Sequence, residues 1–114
     1  MHDCLFCKII AGEIPSNKVY EDERVLVFRD VNPQMPVHDL IVPKKHYAHI
    51  GDGLSDDDMG YLFNTAKKVA EIEGIKDSGY RVIVNTGDDA DQTVHHLHVH
   101  VLGGAAMNFG PFER

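Results

Sequence analysis

Four of the chain's eight histidines fall within six positions, His95 to His100, with Leu97 and Val99 set between them. In an extended strand successive side chains point to opposite faces. Leu97, Val99 and Val101 therefore share one face, against a core. His96, His98 and His100 share the other, with neighbours about 7 Å apart along the strand. An exposed polar face would be served as well by Thr, Lys or Glu, so three imidazoles in register point to chemistry. They suit two kinds of work. Strand-borne histidines can hold a catalytic metal. Alternatively, an imidazole neutral at pH 7 can attack phosphorus while a neighbour binds the phosphoryl oxygens or moves a proton. Spacing alone does not separate the two.

Cys4 and Cys7 form a second constellation, C-x₂-C, a common half of a tetrahedral zinc site. The same pair can be two small buried thiols or a redox couple, although the βαβ context of a thioredoxin-type motif is missing. Two closely spaced cysteines do not make the disulfide framework of a secreted domain.

The elements that must carry these groups are legible from pattern. Cys4 to Ala11 reads as a short amphipathic helix or turn, with Leu5, Ile9 and Ile10 apolar, ended by Gly12 and Pro15. "KVYEDERVLVFRD" predicts a hairpin: Val19 and Tyr20 enter, Glu21 to Glu23 turn, and Arg24 to Asp30 return. "VNPQMP" is a loop, and His38 to Val42 a further strand stopped by Pro43. Ser55 with Asp58 three residues later is a capping-box pattern. Met59, Leu62, Phe63, Ala66, Val69 and Ala70 then recur at helical spacing, and Gly74 can close the helix in the left-handed conformation. Asp56, Asp57 and Asp58 suit the positive end of that helix better than a metal. Tyr80 to Asn85 is a strand, "TGDDADQT" a loop, and His96 to Leu102 a last strand closed by Gly103 and Gly104. Strands, one long helix and two more strands predict an α+β fold with an antiparallel sheet.

Bulk properties bound the partners. A chain of 114 residues is a single-domain length. Eleven basic against eighteen acidic residues give −7, which argues against a nucleic-acid backbone as the main partner. A small anionic ligand remains compatible, because local donors outweigh a distant net charge. "MHDCLFCKII" has no long apolar signal region and no run approaches membrane-spanning length, which predicts a cytoplasmic protein with no membrane contact.

His-Leu-His-Val-His-Val-Leu, from His96 to Leu102, resembles the signature of the histidine triad (HIT) family. "CLFCKIIAGEIPSNKVYEDERVLVFRDVNPQMPVHDLIVPKKH" is similar to that family's N-terminal half, and "GYRVIVNTG" and "QTVHHLHVHVLGG" to its C-terminal half. The likeness covers nearly the whole chain. The Leu102-Gly103-Gly104 ending resembles the Hint branch, purine nucleoside phosphoramidate hydrolases, rather than the diadenosine polyphosphate hydrolases. The resemblance implies one domain over 1–114 with a HIT-like fold, a five-stranded antiparallel sheet with one long and one short helix. It implies cleavage of a nucleoside 5′-phosphoramidate, with His98 as the nucleophile that takes up the nucleotidyl group. His100 would contact the phosphate oxygens, and His96 would anchor the strand or relay protons. Asn85, Gln92 and Thr93 match phosphate-side positions. Leu5, Phe6, Ile9 and Phe28 match an apolar purine slot, and Asp30 the carboxylate on the ribose. Without the resemblance the four apolar residues would be core and Asp30 a turn former. Val31 would be slot wall or core, and His38 a supporting neighbour. Some members hold a structural zinc, and the matching ligands here are Cys4, Cys7, His46 and His96. The family also forms homodimers by joining two sheets.

Several positions depart from that pattern. Ala90 and Asp91 stand where many members have glycines, which stiffens the loop and adds negative charge. His95 replaces an aromatic residue, and the tail "AAMNFGPFER" lies where branches differ most. His2, His49 and His95 read as surface residues. Two other functions fit the same residues: dinucleoside polyphosphate hydrolysis, and a nucleotide-binding scaffold with incidental turnover.

Overall fold

The structure, a computed structural model, describes residues 4–108. His2 and the end of the tail lie outside the described residues. The element order is α1 (Leu5–Ile10), β1 (Lys18–Glu21), β2 (Val25–Arg29), β3 (Val37–Pro43), α2 (Asp56–Ile72), β4 (Tyr80–Ile83) and β5 (Val99–Gly103). The strands form one five-stranded sheet in the order β1-β2-β3-β5-β4, antiparallel at every pairing. No helix among the described residues is long and apolar enough to cross a membrane.

Period-2 alternation gives the sheet two apolar faces. Val25, Val27, Ile41, Val99 and Val101 pack under α2 with Leu62, Ala66, Val69 and Ala70. Leu26, Phe28, Leu40 and Val42 face the other way, against Phe6 and Ile9 of α1. A helix on each face is why the strands are buried on both sides and why β2 reads as a continuous apolar run.

The start of α2 bears out the capping pattern: the Ser55 hydroxyl accepts from the Asp58 backbone N–H at 3.0 Å. The reciprocal bond of a capping box is replaced, because the Asp58 carboxylate takes Tyr47 Oη at 2.7 Å and Arg24 at 2.6 Å. Asp57 and Asp58 thus tie the start of the helix to the hairpin through Arg24. Gly74 closes the helix at φ 72°, in the left-handed region. The core-facing stripe is narrower than its periodicity predicts, since Phe63 is largely exposed and Met59 only half-buried.

The largest departure is at the last strand. Alternation predicts a strand from His96 to Leu102, but β5 begins at Val99, so His96 and His98 precede it. The register pairs Ile41 with Val99, and beyond Ile41 strand β3 runs into Pro43, which has no N–H to offer. The chain there takes other partners: Leu97 N–H donates to Tyr47 O at 2.7 Å. Strand β4 likewise stops at Ile83, short of Asn85. Val31 is 99% exposed and therefore not core.

Candidate active site and metal cluster

The alternation of the histidine segment survives its loss of strand pairing. Leu97 is buried in the core under α2, while His98 meets Phe6 of α1 edge-on at 5.1 Å between ring centroids. His98 and His100 lie side by side, centroids 4.9 Å apart. His96 and His98 are almost fully buried, at 0% and 7% exposure. Helix α1 causes this burial, so the histidine face is the floor of a pocket, not an open polar surface.

Hydrogen bonds fix the form of each ring. His98 Nδ1 lies 2.8 Å from the His96 carbonyl oxygen. A carbonyl only accepts, so Nδ1 carries the proton and Nε2 keeps its lone pair. His38 Nδ1 accepts from Gln34 N–H at 3.0 Å, so its Nε2–H donates, to His100 Nδ1 at 3.0 Å. That leaves the proton of His100 on Nε2, a buried atom with no hydrogen-bond partner. The two faces offered by the pair are therefore opposite in kind: a nucleophilic lone pair on His98 and an N–H donor on His100.

Burial also keeps these rings neutral. Desolvation lowers the pKa of His98 and of His38, against the pull of Asp30. His100 is pushed down to about 4 by burial and by the neighbouring His98 and His38. Each imidazole is thus uncharged at neutral pH, the state a nucleophile needs.

The cavity above them has a volume of about 340 Å³. Leu5, Phe6, Ile9, Phe28, Asp30, Thr93, His98 and His100 line it, so eight residues expected at the site from sequence converge there. Phe6, Ile9 and Phe28 are buried and double as core, whereas Leu5 is 43% exposed at the rim. Asp30 Oδ1 accepts from Asn32 N–H at 2.9 Å, a turn-forming bond, and Oδ2 lies 3.4 Å from His38 Nε2. Asn85 sits apart, lining an adjoining hollow with Gln34, His38, Ile83, His100 and Leu102.

Gln92 departs from the expected role of phosphate donor. Its Nε2 donates to Ala48 O and Val94 O at 2.8 and 3.0 Å, and its Oε1 accepts from Gly87 N–H. Both amide hydrogens are committed to holding the loop. Asp91 beside it takes φ 61°, the sole non-glycine residue in the left-handed region among those described. Glycine would be unstrained there.

Cys4, Cys7, His46 and His96 form a separate cluster whose candidate ligand atoms all lie within 4.8 Å of one another. Cys4 Sγ is 3.2 Å and Cys7 Sγ 3.5 Å from His96 Nδ1, and Cys7 Sγ is 3.3 Å from His46 Nδ1. The two Nδ1 atoms are 3.1 Å apart. Tetrahedral zinc with ordinary bond lengths separates its ligand atoms by about 3.3–3.8 Å, so the donors fit that ion. His96 Nε2–H donates to Pro43 O at 2.9 Å, which points its Nδ1 lone pair into the cluster. His96 thereby serves as a candidate ligand and has no free nitrogen for proton relay. The Cys7 thiol is pushed up to about 11 by burial and by Cys4 beside it, a preference a bound cation would reverse.

A metal held by the triad of His96, His98 and His100 lacks this support. Among the described residues only His100 of the three joins a second group close enough for an ion, with Asp30 and His38. There both His38 nitrogens are already committed, Nδ1 to Gln34 N–H and Nε2–H to His100. Sequence reasoning gives His38 too little weight and misses Gln34 and the Pro43 carbonyl altogether. Backbone groups leave no mark in residue type. Two further histidines stand outside both sites: His95 is exposed, and His49 accepts from Gly51 N–H.

Comparison with known proteins agrees with this architecture. Residues 11–107 match the HIT domain. A maize protein called "14 kDa zinc-binding protein" is 50% identical over 94% of this chain and 86% of its own. The Arabidopsis thaliana "Adenylylsulfatase HINT1" is 45% identical over 94% of this chain and 75% of its own. The crystal structure of a HIT family hydrolase from Legionella pneumophila superposes with a TM-score of 0.87 at 49% identity, covering 96% of this chain and 100% of that one. By its sequence, its sheet and its triad, the chain belongs to the HIT domain family.

Proposed function

We propose that this HIT-family protein hydrolyses purine nucleoside 5′-phosphoramidates through a nucleotidyl intermediate on His98. The purine enters between Leu5, Phe6, Ile9 and Phe28, and Asp30 accepts from the ribose hydroxyls. His98 Nε2 forms a bond to the α-phosphorus as the P–N bond breaks, and the amine leaves with a proton taken from solvent, which the attacking water later returns. Water then attacks the same phosphorus, releasing the nucleoside monophosphate and restoring neutral His98. His100 Nε2–H donates to the phosphoryl oxygens, where charge concentrates. Thr93 adds a neutral donor, and Asn85 contributes from the adjoining hollow.

One observation carries this reading: His98 is held neutral with Nδ1–H on the His96 carbonyl, beside an unpartnered His100 Nε2. Relatives named as a HIT family hydrolase and an adenylylsulfatase support hydrolysis of an adenylyl compound. The Cys4, Cys7, His46 and His96 cluster holds zinc in this reading, a structural role supported by the donor geometry and by the maize relative's name. The ion supplies a fixed tetrahedral crosslink. A homodimer formed through β4, an edge strand of the sheet, completes the proposal.

The test is turnover of adenosine 5′-phosphoramidate by wild type and by His98→Ala, with mass spectrometry of acid- and base-quenched enzyme. A nucleotidyl adduct on His98 and a rate loss of about 10⁴-fold are expected. Equal rates would overturn the covalent mechanism. Faster turnover of diadenosine polyphosphates would move the assignment to that branch, and tight AMP with negligible turnover would favour a binding protein.

A further inference from the structure

We infer that the Cys4–Cys7–His46–His96 cluster and the nucleotide slot are coupled, so that a metal ion in the cluster tightens nucleotide binding and a nucleotide in the slot tightens metal binding. This inference rests on the nucleotide reading of the slot, because it needs a ligand that fills it.

Two physical links join the sites. The first is α1, Leu5–Ile10, a helix of six residues. A helix this short does not hold itself together in water. Its N-cap is a cluster residue: Cys4 Sγ accepts from Cys7 N–H at 3.2 Å. Cys7 lies within the helix and faces His46 and His96. The same helix presents Leu5, Phe6 and Ile9 to the slot. Whatever clamps Cys4 and Cys7 to the two histidines therefore clamps one wall of the slot to its floor.

The second link is His96, which uses three polar groups in three directions. Its Nδ1 faces the thiols, its Nε2–H donates to Pro43 O at 2.9 Å, and its carbonyl accepts from His98 Nδ1–H at 2.8 Å. Fixing the His96 ring fixes the carbonyl that sets the tautomer of His98. Phe6 bridges both, with edge contacts to His96 at 5.9 Å and to His98 at 5.1 Å between centroids. Cys4, Cys7 and His46 are thus positioning residues for His98, acting through His96 and α1 without touching the nucleotide.

Coupling between two binding sites is reciprocal. The experiment uses the full chain, Zn²⁺ and AMP. AMP affinity is measured by calorimetry on zinc-loaded and chelator-stripped protein, with far-UV circular dichroism to confirm folding. Zinc affinity is measured by competition with a fluorescent chelator, with and without saturating AMP. The expected result is a loss of AMP affinity of about tenfold or more on stripping and an equal gain in zinc affinity with AMP. The ¹⁵N resonances of the His98 ring should move from a single tautomer in loaded protein to a mixture in stripped protein. Equal AMP affinity in the two forms, with zinc affinity indifferent to AMP, overturns the inference. If stripped protein unfolds, the coupling is read in Co²⁺-loaded protein, where filling the slot with AMP should shift the thiolate–cobalt absorption. An unmoved spectrum overturns the inference as well. Failure of AMP to bind the loaded protein at all would instead sink the nucleotide reading.

Discussion

Replacing Asp39 with asparagine isolates a buried carboxyl that the proposed chemistry does not use. Asp39 sits mid-way along β3, at 0% exposure, with both carboxylate oxygens lacking a hydrogen-bond partner. Its cross-strand neighbours are Arg29 on β2 and Val101 on β5. Burial, and then the nearby Glu73 carboxyl, push its pKa up to about 8. Two neighbouring carboxyls share a buried site only if one keeps a proton, so the native state holds a proton that the unfolded chain releases near pH 4. The sign follows. Between those two pKa values the native state binds one proton more, and the Asp39 contribution to stability falls as pH rises. The slope is about 1.4 kcal/mol per pH unit. The asparagine side chain does not titrate and carries no charge to repel Glu73. Relative to wild type, Asp39→Asn should gain about 1.4 kcal/mol per pH unit, about 2.8 kcal/mol in all, between pH 5 and 7. Urea unfolding of both proteins at pH 5, 6 and 7 measures this. The buried histidines titrate in both proteins and cancel in the difference. Parallel stability curves would refute the reasoning, because they would mean that Asp39 is ionised in the native state.

Four further outcomes are expected. Activity on adenosine 5′-phosphoramidate should persist as pH falls through 6.5, the ordinary histidine value, because burial lowers the pKa of His98 and holds His100 at about 4; a kcat/KM profile with its acid limb above 6.5 would contradict this. His38→Ala should cost at least about tenfold in kcat with AMP affinity little changed, since it removes the bond that fixes the His100 tautomer; steady-state kinetics with calorimetry decides. Asp91→Gly should relieve the left-handed backbone at φ 61°, raising stability by about 0.5–1 kcal/mol in urea titration. Chelation of zinc should lower stability by about 4 kcal/mol relative to free zinc a thousandfold above its dissociation constant, read as a drop in Tm by circular dichroism.

Much of the fold was legible because local rules and tertiary packing agree. Alternating apolar residues place Val25, Val27, Val99 and Val101 under α2 and Leu26, Phe28 and Leu40 on the opposite face. Ser55 and Gly74 mark the ends of α2 through backbone requirements that residue type reveals. Boundaries were less legible where a partner decides them. The early end of pairing before Val99 depends on which residue of β3 lies opposite, and Pro43 stands 56 positions away in the chain from it. Phe6 and Ile9 read equally as core or as slot, and in the structure they are both.

The amino-acid order by itself determined that three imidazoles point one way and three aliphatic side chains the other, because a strand's period of two belongs to the backbone. It also determined which residue types were available as thiol, imidazole and carboxylate donors. Only the tertiary structure decided which nitrogen of each ring carries the proton. That choice belongs to the His96 carbonyl, the Pro43 carbonyl and the Gln34 N–H. Every residue except proline has an N–H and all have a carbonyl, so no spelling of the sequence distinguishes these three. Only the folded chain brings them within hydrogen-bonding distance of an imidazole.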